Sequence, residues 1–268
     1  MGIQEALVPF GERVKLADYD AGYTGGYAKK SDVKALVKAN LARMAELQEL
    51  MFAEGKHALL IVLQAMDAGG KDSTIRRVME AFNPQGCHVV GFSVPTELER
   101  GHDFLWRIHQ HTPPLGHVAI FNRSHYEDVL IVRVNGLAPE EVWQERYQHI
   151  NNFERLLADS GVTILKFYLH ISKDEQKKRF QERLDRKDKN WKFNPADLET
   201  RAQWDSYMAA FEDVFARCNH PWAPWYIAPA NRKWYRNLVI STAIVEALEK
   251  LDMRYPPAPE GLENIVIE

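Results

Sequence analysis

An unbroken apolar run that leads into a glycine-rich turn constrains this chain more than any other stretch. The run covers residues 58–63, and the turn covers residues 65–72 with Gly69, Gly70 and Lys71 near its end. A segment with helix-forming composition follows. Glycines let several backbone N–H groups point into one concavity, the helix N-terminus adds partial positive charge, and a lysine reaches bound oxygens. This order of elements predicts a phosphate-binding site.

The turn departs from the P-loop pattern G-x-x-x-x-G-K-[ST] at two places, where it has Ala65 and Asp72. An ordinary strand-to-helix turn with a surface lysine is therefore the alternative. The apolar strand before the turn and the helix after it favour phosphate binding. Asp67 lies inside the turn, where its carboxylate would repel phosphate unless a cation lay between them. The turn therefore indicates Mg²⁺ held partly by Asp67.

Composition limits the class of protein. The chain has 268 residues, 46% of them hydrophobic and 26% charged, with a net charge of −3. This size suits one globular domain, with or without a subdomain, and the balanced charge predicts no binding to nucleic acid or membranes. Two cysteines, Cys87 and Cys218, predict neither a disulfide framework nor a cysteine metal site, as expected of a cytoplasmic protein. No apolar run reaches the roughly 18–20 residues of a membrane span.

Apolar segments alternate with helix-like segments along the chain. Strands are predicted at residues 58–63, 87–93, 117–121, 162–171 and 225–228. A loop is predicted at residues 94–101, and helices at residues 31–55, 73–82, 102–106, 139–160, 173–184, 197–217 and 231–251. The alternation predicts an α/β fold with a parallel sheet covered on both faces. Ligands of such sheets bind at the carboxyl ends of the strands, where the glycine turn falls.

A second polar cluster follows the third predicted strand. It begins with Asn122 and Arg123 and ends with Glu127 and Asp128. An arginine at this place can bind phosphate as a bidentate fork, and carboxylates at a strand end can bind a cation. A connecting loop with solvated charges is the alternative, but polar clusters at strand ends commonly carry sites.

A third cluster is basic and lies within residues 177–192. Arg179 and Arg183 are four residues apart and share one helix face. Apolar residues are almost absent from residues 185–195 and show no periodic spacing there. The pattern predicts a mobile lid whose arginines close on phosphates. A solvated basic helix face is the alternative. Further cations are Arg76, Arg77, Arg232, Lys233 and Arg236. Such an excess of cations favours a long polyanion as ligand, bound in a salt-sensitive way.

Four separated motifs together resemble the polyphosphate kinase 2 family. They are A-M-D-A-G-G-K-D at residues 65–72, F-N-R-S-H-Y-E-D at 121–128, R-F-Q-E-R-L at 179–184 with N-W-K at 190–192, and P-W-A-P-W-Y at 221–226. The resemblance runs from about residue 17 to residue 251. It implies a P-loop kinase fold related to thymidylate kinase, a three-layer α/β/α arrangement with a parallel sheet and a helical lid. It also implies polyphosphate as the phosphoryl donor to nucleotides, with Mg²⁺.

The resemblance also implies roles for single residues. Asp67 and Lys71 would be the metal and phosphate residues of the turn. Many family members have Asp where this chain has Asn122, so the predicted metal ligands are Asp67 and Asp128. Asn122 together with Glu127 and Asp128 resembles the third class of the family, which phosphorylates AMP and ADP.

The predicted site residues fall into three overlapping groups. The predicted catalytic residues are Asp67, Lys71, Arg123, Asp128 and Arg183. The predicted nucleotide contacts are Asn122, Arg123, Glu127, Asp128 and Arg183. The predicted polyphosphate contacts are Ala68, Gly69, Gly70, Lys71, Asp72, Arg76, Arg77, Lys178 and Arg179.

The whole chain is interpreted as one domain. Residues 1–56 form an N-terminal arm and helix, residues 57–175 and 220–268 the P-loop core, and residues 176–219 the lid region. The hypothesis is reversible phosphoryl transfer from inorganic polyphosphate to AMP and ADP, giving ADP and ATP. The resemblance implies a homodimer or homotetramer. An ATP-dependent nucleoside or nucleotide kinase of the same fold and a non-catalytic nucleotide sensor are the alternatives.

Overall fold

Five parallel strands form the centre of the structure, a computed structural model that describes residues 5–262, 265 and 267. The strands are β1 (Ala58–Gln64), β2 (Cys87–Gly91), β3 (Val118–Asn122), β4 (Val162–His170) and β5 (Trp225–Pro229). Their order in the sheet is β2-β3-β1-β4-β5, and every neighbouring pair is parallel. The five predicted strands and their parallel arrangement are thereby confirmed.

The central strand β1 anchors the glycine turn that follows it. All seven of its residues are buried, so both faces of the sheet are covered, as expected of a parallel sheet between helices. Its register pairs Leu63 with Asn122 of β3. The carboxyl ends of β1 and β3 therefore lie side by side, which brings the glycine turn next to the polar cluster after β3.

Helices surround the sheet. They are α1 (Lys30–Glu54), α2 (Lys71–Arg77), α3 (Glu97–Arg100), α4 (Trp106–His109), α5 (Ile131–Val134), α6 (Glu140–Asp159), α7 (Lys173–Asp185), α8 (Ala196–Ala202), α9 (Trp204–Arg217) and α10 (Lys233–Glu249). Their apolar faces follow helical spacing, as in α6, which buries Trp143, Tyr147 and Ile150. α1 ends at Gly55, whose left-handed φ of +66° closes the helix.

Three helix predictions differ from the structure. The helix predicted at residues 102–106 is instead the short α4, which begins at Trp106 and ends at His109. The helix predicted at residues 73–82 begins earlier and ends at Arg77, and a separate 3₁₀ turn, Met79–Ala81, follows it. The single helix predicted at residues 197–217 is two helices that meet at Gln203. α9 buries Trp204 and other aromatic residues, whereas α8 buries none, so the two helices face different surroundings.

The segment predicted as a loop at residues 94–101 contains α3. Its N-terminus is a capping box: the Thr96 hydroxyl accepts from the Glu99 N–H at 3.2 Å, and the Glu99 carboxylate accepts from the Thr96 N–H at 2.6 Å. The loop prediction missed this helix, although the T-x-x-E spacing of residues 96–99 is typical of a helix N-terminus.

The N-terminal arm lies along the outer edge of β5. The Val8 N–H donates to the Trp225 carbonyl at 2.9 Å, and the Ile227 N–H donates to the Ala6 carbonyl at 2.7 Å. Leu7 and Tyr226 form an antiparallel bridge. The predicted arm therefore covers a sheet edge that would otherwise expose unpaired backbone groups. Within the described residues, no helix is both long and apolar enough to cross a membrane.

Candidate active site

A cavity of about 520 Å³ lies at the carboxyl ends of β1, β2 and β3. Its walls come from the glycine turn, the ends of β2 and β3, α7, the segment from α7 to the start of α8, and the start of α10. The residues that line it are Asp67–Ser73, Gly91–Ser93, Asn122, Arg123, Arg179, Glu182, Arg183, Lys189, Lys192, Asn194, Asp197 and Lys233. The sheet thus brings the three sequence clusters together around one space.

The glycine turn adopts a backbone that other residues resist. Ala68 has φ of +58°, and Gly70, which precedes α2, has φ of +109°. A Cβ added to Gly69 would lie 2.4 Å from the Ala65 Cβ and 2.7 Å from the Met66 carbonyl oxygen. The tight bend therefore requires glycine at residue 69. It turns the chain into α2, whose first N–H groups have no partner within the helix.

Lys71 lies at the base of the cavity. Its Nζ donates to the Ala65 carbonyl at 3.0 Å, which folds the side chain back over the turn. Burial lowers the pKa of Lys71, and the nearby Arg123 charge lowers it further. A phosphate group in the cavity would supply the opposite charge that favours the protonated lysine.

Arg123 and Asp67 both line the cavity and form an ion pair with each other. Arg123 Nη2 lies 3.3 Å from Asp67 Oδ1, and the Arg123 side chain is 44% exposed, so its guanidinium is accessible to a ligand. Arg123 has φ of +64°, which is unusual for a residue with a side chain. Its N–H donates to the Leu63 carbonyl at 3.1 Å, which holds the start of this segment against β1. Strained backbone of this kind is common at functional sites.

Two carboxylates reach the cavity from the turn. Asp67 is one, and Asp72 is the other, which accepts a hydrogen bond from Asn122 Nδ2 at 3.1 Å. Among the described residues no group of three or more His, Cys, Asp or Glu side chains is arranged to hold a metal ion. Mg²⁺ in phosphate-transferring sites is typically held by one or two carboxylates together with waters and substrate phosphates. The residues present fit a Mg²⁺ that is shared with a substrate in this way.

Glu127 and Asp128 have different surroundings. Burial raises the pKa of Glu127, and the charges of Arg123 and Lys71 oppose that rise, but Glu127 is not among the described residues that line the cavity, so its contact with a nucleotide stays a prediction. Asp128 is not among the described residues that line the cavity. Its Oδ1 accepts from Arg146 Nη1 at 2.9 Å, and burial raises its pKa to about 6. Metal binding by Asp128 stays a prediction, and it would require this carboxylate to leave Arg146.

The lid region supplies Arg183 to the cavity. Arg183 Nη1 donates to Asp197 Oδ2 at 3.1 Å and to the Lys192 carbonyl at 3.0 Å, so it joins α7 to α8 and to the segment that precedes α8. Arg179 also lines the cavity, but its guanidinium is occupied by main-chain carbonyls. It donates to Ala68 at 2.8 Å and to Gly69 at 3.1 Å. Arg179 therefore supports the glycine turn from the lid side.

Three of the predicted polyphosphate contacts lie elsewhere on the surface. Arg76, Arg77 and Lys178 are exposed, and none of them is among the described residues that line the cavity. Contact between these three side chains and a ligand stays a prediction, and it would require a chain that extends beyond the cavity.

Arg236 of α10 supports the site, although the sequence shows it only as one of several cations. It is fully buried, and its Nη1 donates to the Gly70 carbonyl at 3.2 Å and to Ser73 Oγ at 3.0 Å. Burial, with the charge of Arg179 as a second cause, lowers its pKa to about 9. No periodic pattern in the sequence signals this contact, because 163 residues separate Arg236 from Ser73.

A parallel sheet with a lysine-bearing glycine turn at its carboxyl edge, facing an arginine-bearing lid segment, defines a phosphate-binding α/β protein of the P-loop kinase class. Comparison with known proteins narrows this class. The family model for polyphosphate kinase 2 matches residues 27–256, and the chain belongs to that family.

Individual relatives agree with this assignment over nearly the whole chain. The chain is 54% identical to an AMP/ADP-polyphosphate phosphotransferase of Meiothermus ruber over 258 residues, 96% of each sequence. It is 43% identical to an ADP-polyphosphate phosphotransferase of Rhodopseudomonas palustris, over 92% of this chain and 89% of the relative. The crystal structure of polyphosphate kinase 2 from Arthrobacter aurescens TC1 superposes with a TM-score of 0.94 at 44% identity, covering 98% of this chain and 95% of that one.

Proposed function

We propose that this protein is a polyphosphate-dependent nucleotide kinase that transfers phosphoryl groups reversibly from inorganic polyphosphate to AMP and ADP. The observation that carries the proposal is the charge of the cavity. Among the residues that the structure describes, seven lysines and arginines line it, against four aspartates and glutamates, in a chain whose net charge is −3. A single nucleotide needs fewer cations, so the surplus suits two polyanions bound together.

The choice of acceptor follows from similarity. The Meiothermus ruber relative is named for both AMP and ADP, and it shares more than half of its residues with this chain. Glu127, within reach of Lys71 and Arg123, is the residue proposed to distinguish the nucleotide acceptors. Arg123, Asn122 and Arg183 are proposed to contact the nucleotide phosphates.

The reaction joins an oxygen of the nucleotide phosphate to the terminal phosphorus of the polyphosphate chain. The bond between that phosphorus and the bridging oxygen behind it breaks, and the chain leaves one phosphate shorter. Lys71, Arg123 and Arg183 neutralise the charge that spreads over the transferred group. Asp67 would hold a Mg²⁺ ion together with substrate oxygens, and the ion would supply further charge neutralisation.

The remaining residues position the reactants. The glycine turn and Lys71 hold the phosphate chain, and Arg183 holds the lid segment over it through Asp197. Chemistry of this kind depends on placement and charge more than on a nucleophilic side chain. Assembly into a homodimer or homotetramer also stays a prediction.

A donor-swap assay tests the proposal. The protein is incubated with AMP or ADP, Mg²⁺ and polyphosphate as the sole donor, and the nucleotides are separated by ion-exchange chromatography. We expect ADP and ATP to form and the polyphosphate to shorten. Product that appears only when ATP replaces polyphosphate would instead identify an ATP-dependent kinase. Binding of both ligands without product from either donor would identify a sensor.

A further inference from the structure

A fully buried polar cluster lies beneath the segment that follows β3. Its members are Lys166 of β4, Glu154 of α6, His125 and Tyr126, and each has 0% exposure. Lys166 Nζ donates to Glu154 Oε2 at 2.6 Å and to the Tyr126 hydroxyl at 2.8 Å. The Tyr126 hydroxyl in turn donates to Glu154 Oε1 at 2.8 Å, and His125 Nε2 lies 3.2 Å from the same oxygen.

The buried cluster is adjacent in sequence to residues of the cavity but does not line it. His125 and Tyr126 stand between Arg123, which lines the cavity, and Glu127, which interacts electrostatically with Arg123 and Lys71. None of the four cluster residues is among the described residues that line the cavity. The cluster therefore anchors the side chains of His125 and Tyr126, two residues of the segment 123–127, outside the lining of the cavity.

Stability alone does not account for this cluster. Removing a lysine and a glutamate from water costs free energy that their attraction often fails to recover, and apolar residues of similar volume commonly serve a core as well or better. The charged groups instead contribute directional hydrogen bonds. The hydrogen bonds of Lys166 and Glu154 specify one position for the Tyr126 hydroxyl. Lys166 also donates to the Cys218 carbonyl at 2.7 Å, which ties the end of α9 to the same point.

We propose that Lys166 and Glu154, acting through Tyr126, are positioning residues for phosphoryl transfer. They fix the segment that carries Arg123 and Glu127, and so set the distance between these side chains and the reacting phosphates. The inference rests on the proposed function, since it concerns the geometry of that reaction. None of the three touches a substrate.

Tyr126→Phe tests the proposal with the smallest change to the core, because it removes only the hydroxyl. It keeps the aromatic ring, whose centroid lies 4.9 Å from that of the Trp225 ring. Tyr168→Phe is the matched control. Tyr168 is also fully buried, lies on β4, and makes its side-chain hydrogen bond to Met208 Sδ at 3.6 Å, away from residues 123–127. Both variants are assayed for kcat and for the KM of ADP and of polyphosphate, at a temperature where circular dichroism shows both folded.

We expect the kcat of Tyr126→Phe to fall about tenfold or more below that of Tyr168→Phe, with KM values changed less than about threefold, because small misplacements penalise the transition state more than binding. Equal kcat values in the two variants would overturn the proposal. If Tyr126→Phe does not fold, the double variant Lys166→Met with Glu154→Leu replaces it. A double variant that folds and retains wild-type kcat would overturn the proposal equally.

Wild type and Tyr168→Phe in the same assay separate this inference from the proposed function. If, with AMP as acceptor, both form ADP when ATP is the donor but not when polyphosphate is, the proposed donor is wrong. Tyr126→Phe and Tyr168→Phe are then compared with AMP and ATP: a kcat about tenfold lower in Tyr126→Phe supports positioning, and equal kcat values overturn it.

Discussion

Replacing Gly70 by alanine tests whether the shape of the glycine turn controls phosphoryl transfer. Gly70 has φ of +109° and ψ of +19°, a conformation that costs a residue with a Cβ about 1–3 kcal/mol. The added Cβ would lie 2.3 Å from Arg236 Nη1 and 3.3 Å from Ser73 Oγ. Either the Arg236 guanidinium must leave the Gly70 carbonyl, or the turn itself must move.

Movement of the Arg236 guanidinium and movement of the turn would each alter the geometry of the cavity more than the stability of the fold. The guanidinium is the end of a flexible side chain, so part of the overlap is relieved by its movement. We expect a loss of stability of about 2 kcal/mol, which lowers the melting temperature of a chain of this size by about 4–8 °C. Displacement of the turn by about 1 Å is expected to lower kcat about 100-fold. Thermal unfolding by circular dichroism and ATP formation from ADP and polyphosphate measure the two effects.

Gly55→Ala is the control for backbone strain. Gly55 also has a positive φ, +66°, but nothing lies within 4 Å of an added Cβ, and the residue ends α1 outside the cavity. We expect it to lose about 1 kcal/mol of stability while kcat stays within about twofold of wild type. If Gly70→Ala also keeps kcat within about threefold of wild type, the reasoning from the turn to catalysis is refuted.

Three further substitutions probe other parts of the site. Lys71→Met removes a preorganised charge and is expected to lower kcat about 10²–10³-fold at unchanged fold, as measured by the same ATP assay; near-normal turnover would contradict the role of Lys71. Arg183→Met is expected to lower kcat/KM for polyphosphate about tenfold, whereas Lys177→Met, exposed on the same helix, leaves it unchanged; equal effects would contradict a role for Arg183 beyond general charge. Asp128 has a pKa raised by burial from 3.8 to about 6, so its ionisation destabilises the folded state progressively above pH 3.8 and fully above pH 6. Relative to Asp128→Asn, wild type is therefore expected to lose about 1 kcal/mol of unfolding free energy between pH 5 and pH 8 in urea titrations, and parallel pH profiles would contradict the raised pKa.

Local patterns were sufficient to predict the sheet and the turn. The apolar run of β1 is buried at every position, and the glycines after it occupy a bend that excludes a Cβ at residue 69. These features depend on neighbours in sequence, so composition and order reveal them. The general rule that strand ends of a parallel sheet share one edge places the polar cluster after β3 near the glycine turn, and in the structure Arg123 of that cluster lies 3.3 Å from Asp67 of the turn.

Contacts between distant residues could not be predicted in the same way. Arg236 reaches the Gly70 carbonyl from α10, Arg146 engages Asp128 from α6, and Lys166 reaches Tyr126 from β4. Each pairing depends on how helices pack on the sheet, which no single-sequence period encodes. The same is true of the break between α8 and α9, because the two helices differ in burial and not in helix-forming composition.

A crystal structure of the protein with Mg²⁺, AMP and a short polyphosphate tests the central claim most directly. The claim is that one cavity at the carboxyl edge of the sheet holds the donor and the acceptor together. We predict a phosphate of the chain about 3 Å from Lys71 Nζ, a charge-assisted contact, with a cation beside Asp67 and the AMP phosphate facing Arg123. A phosphate chain bound away from Lys71, or a cavity whose Asp67 carboxylate has no cation beside it, would contradict the account.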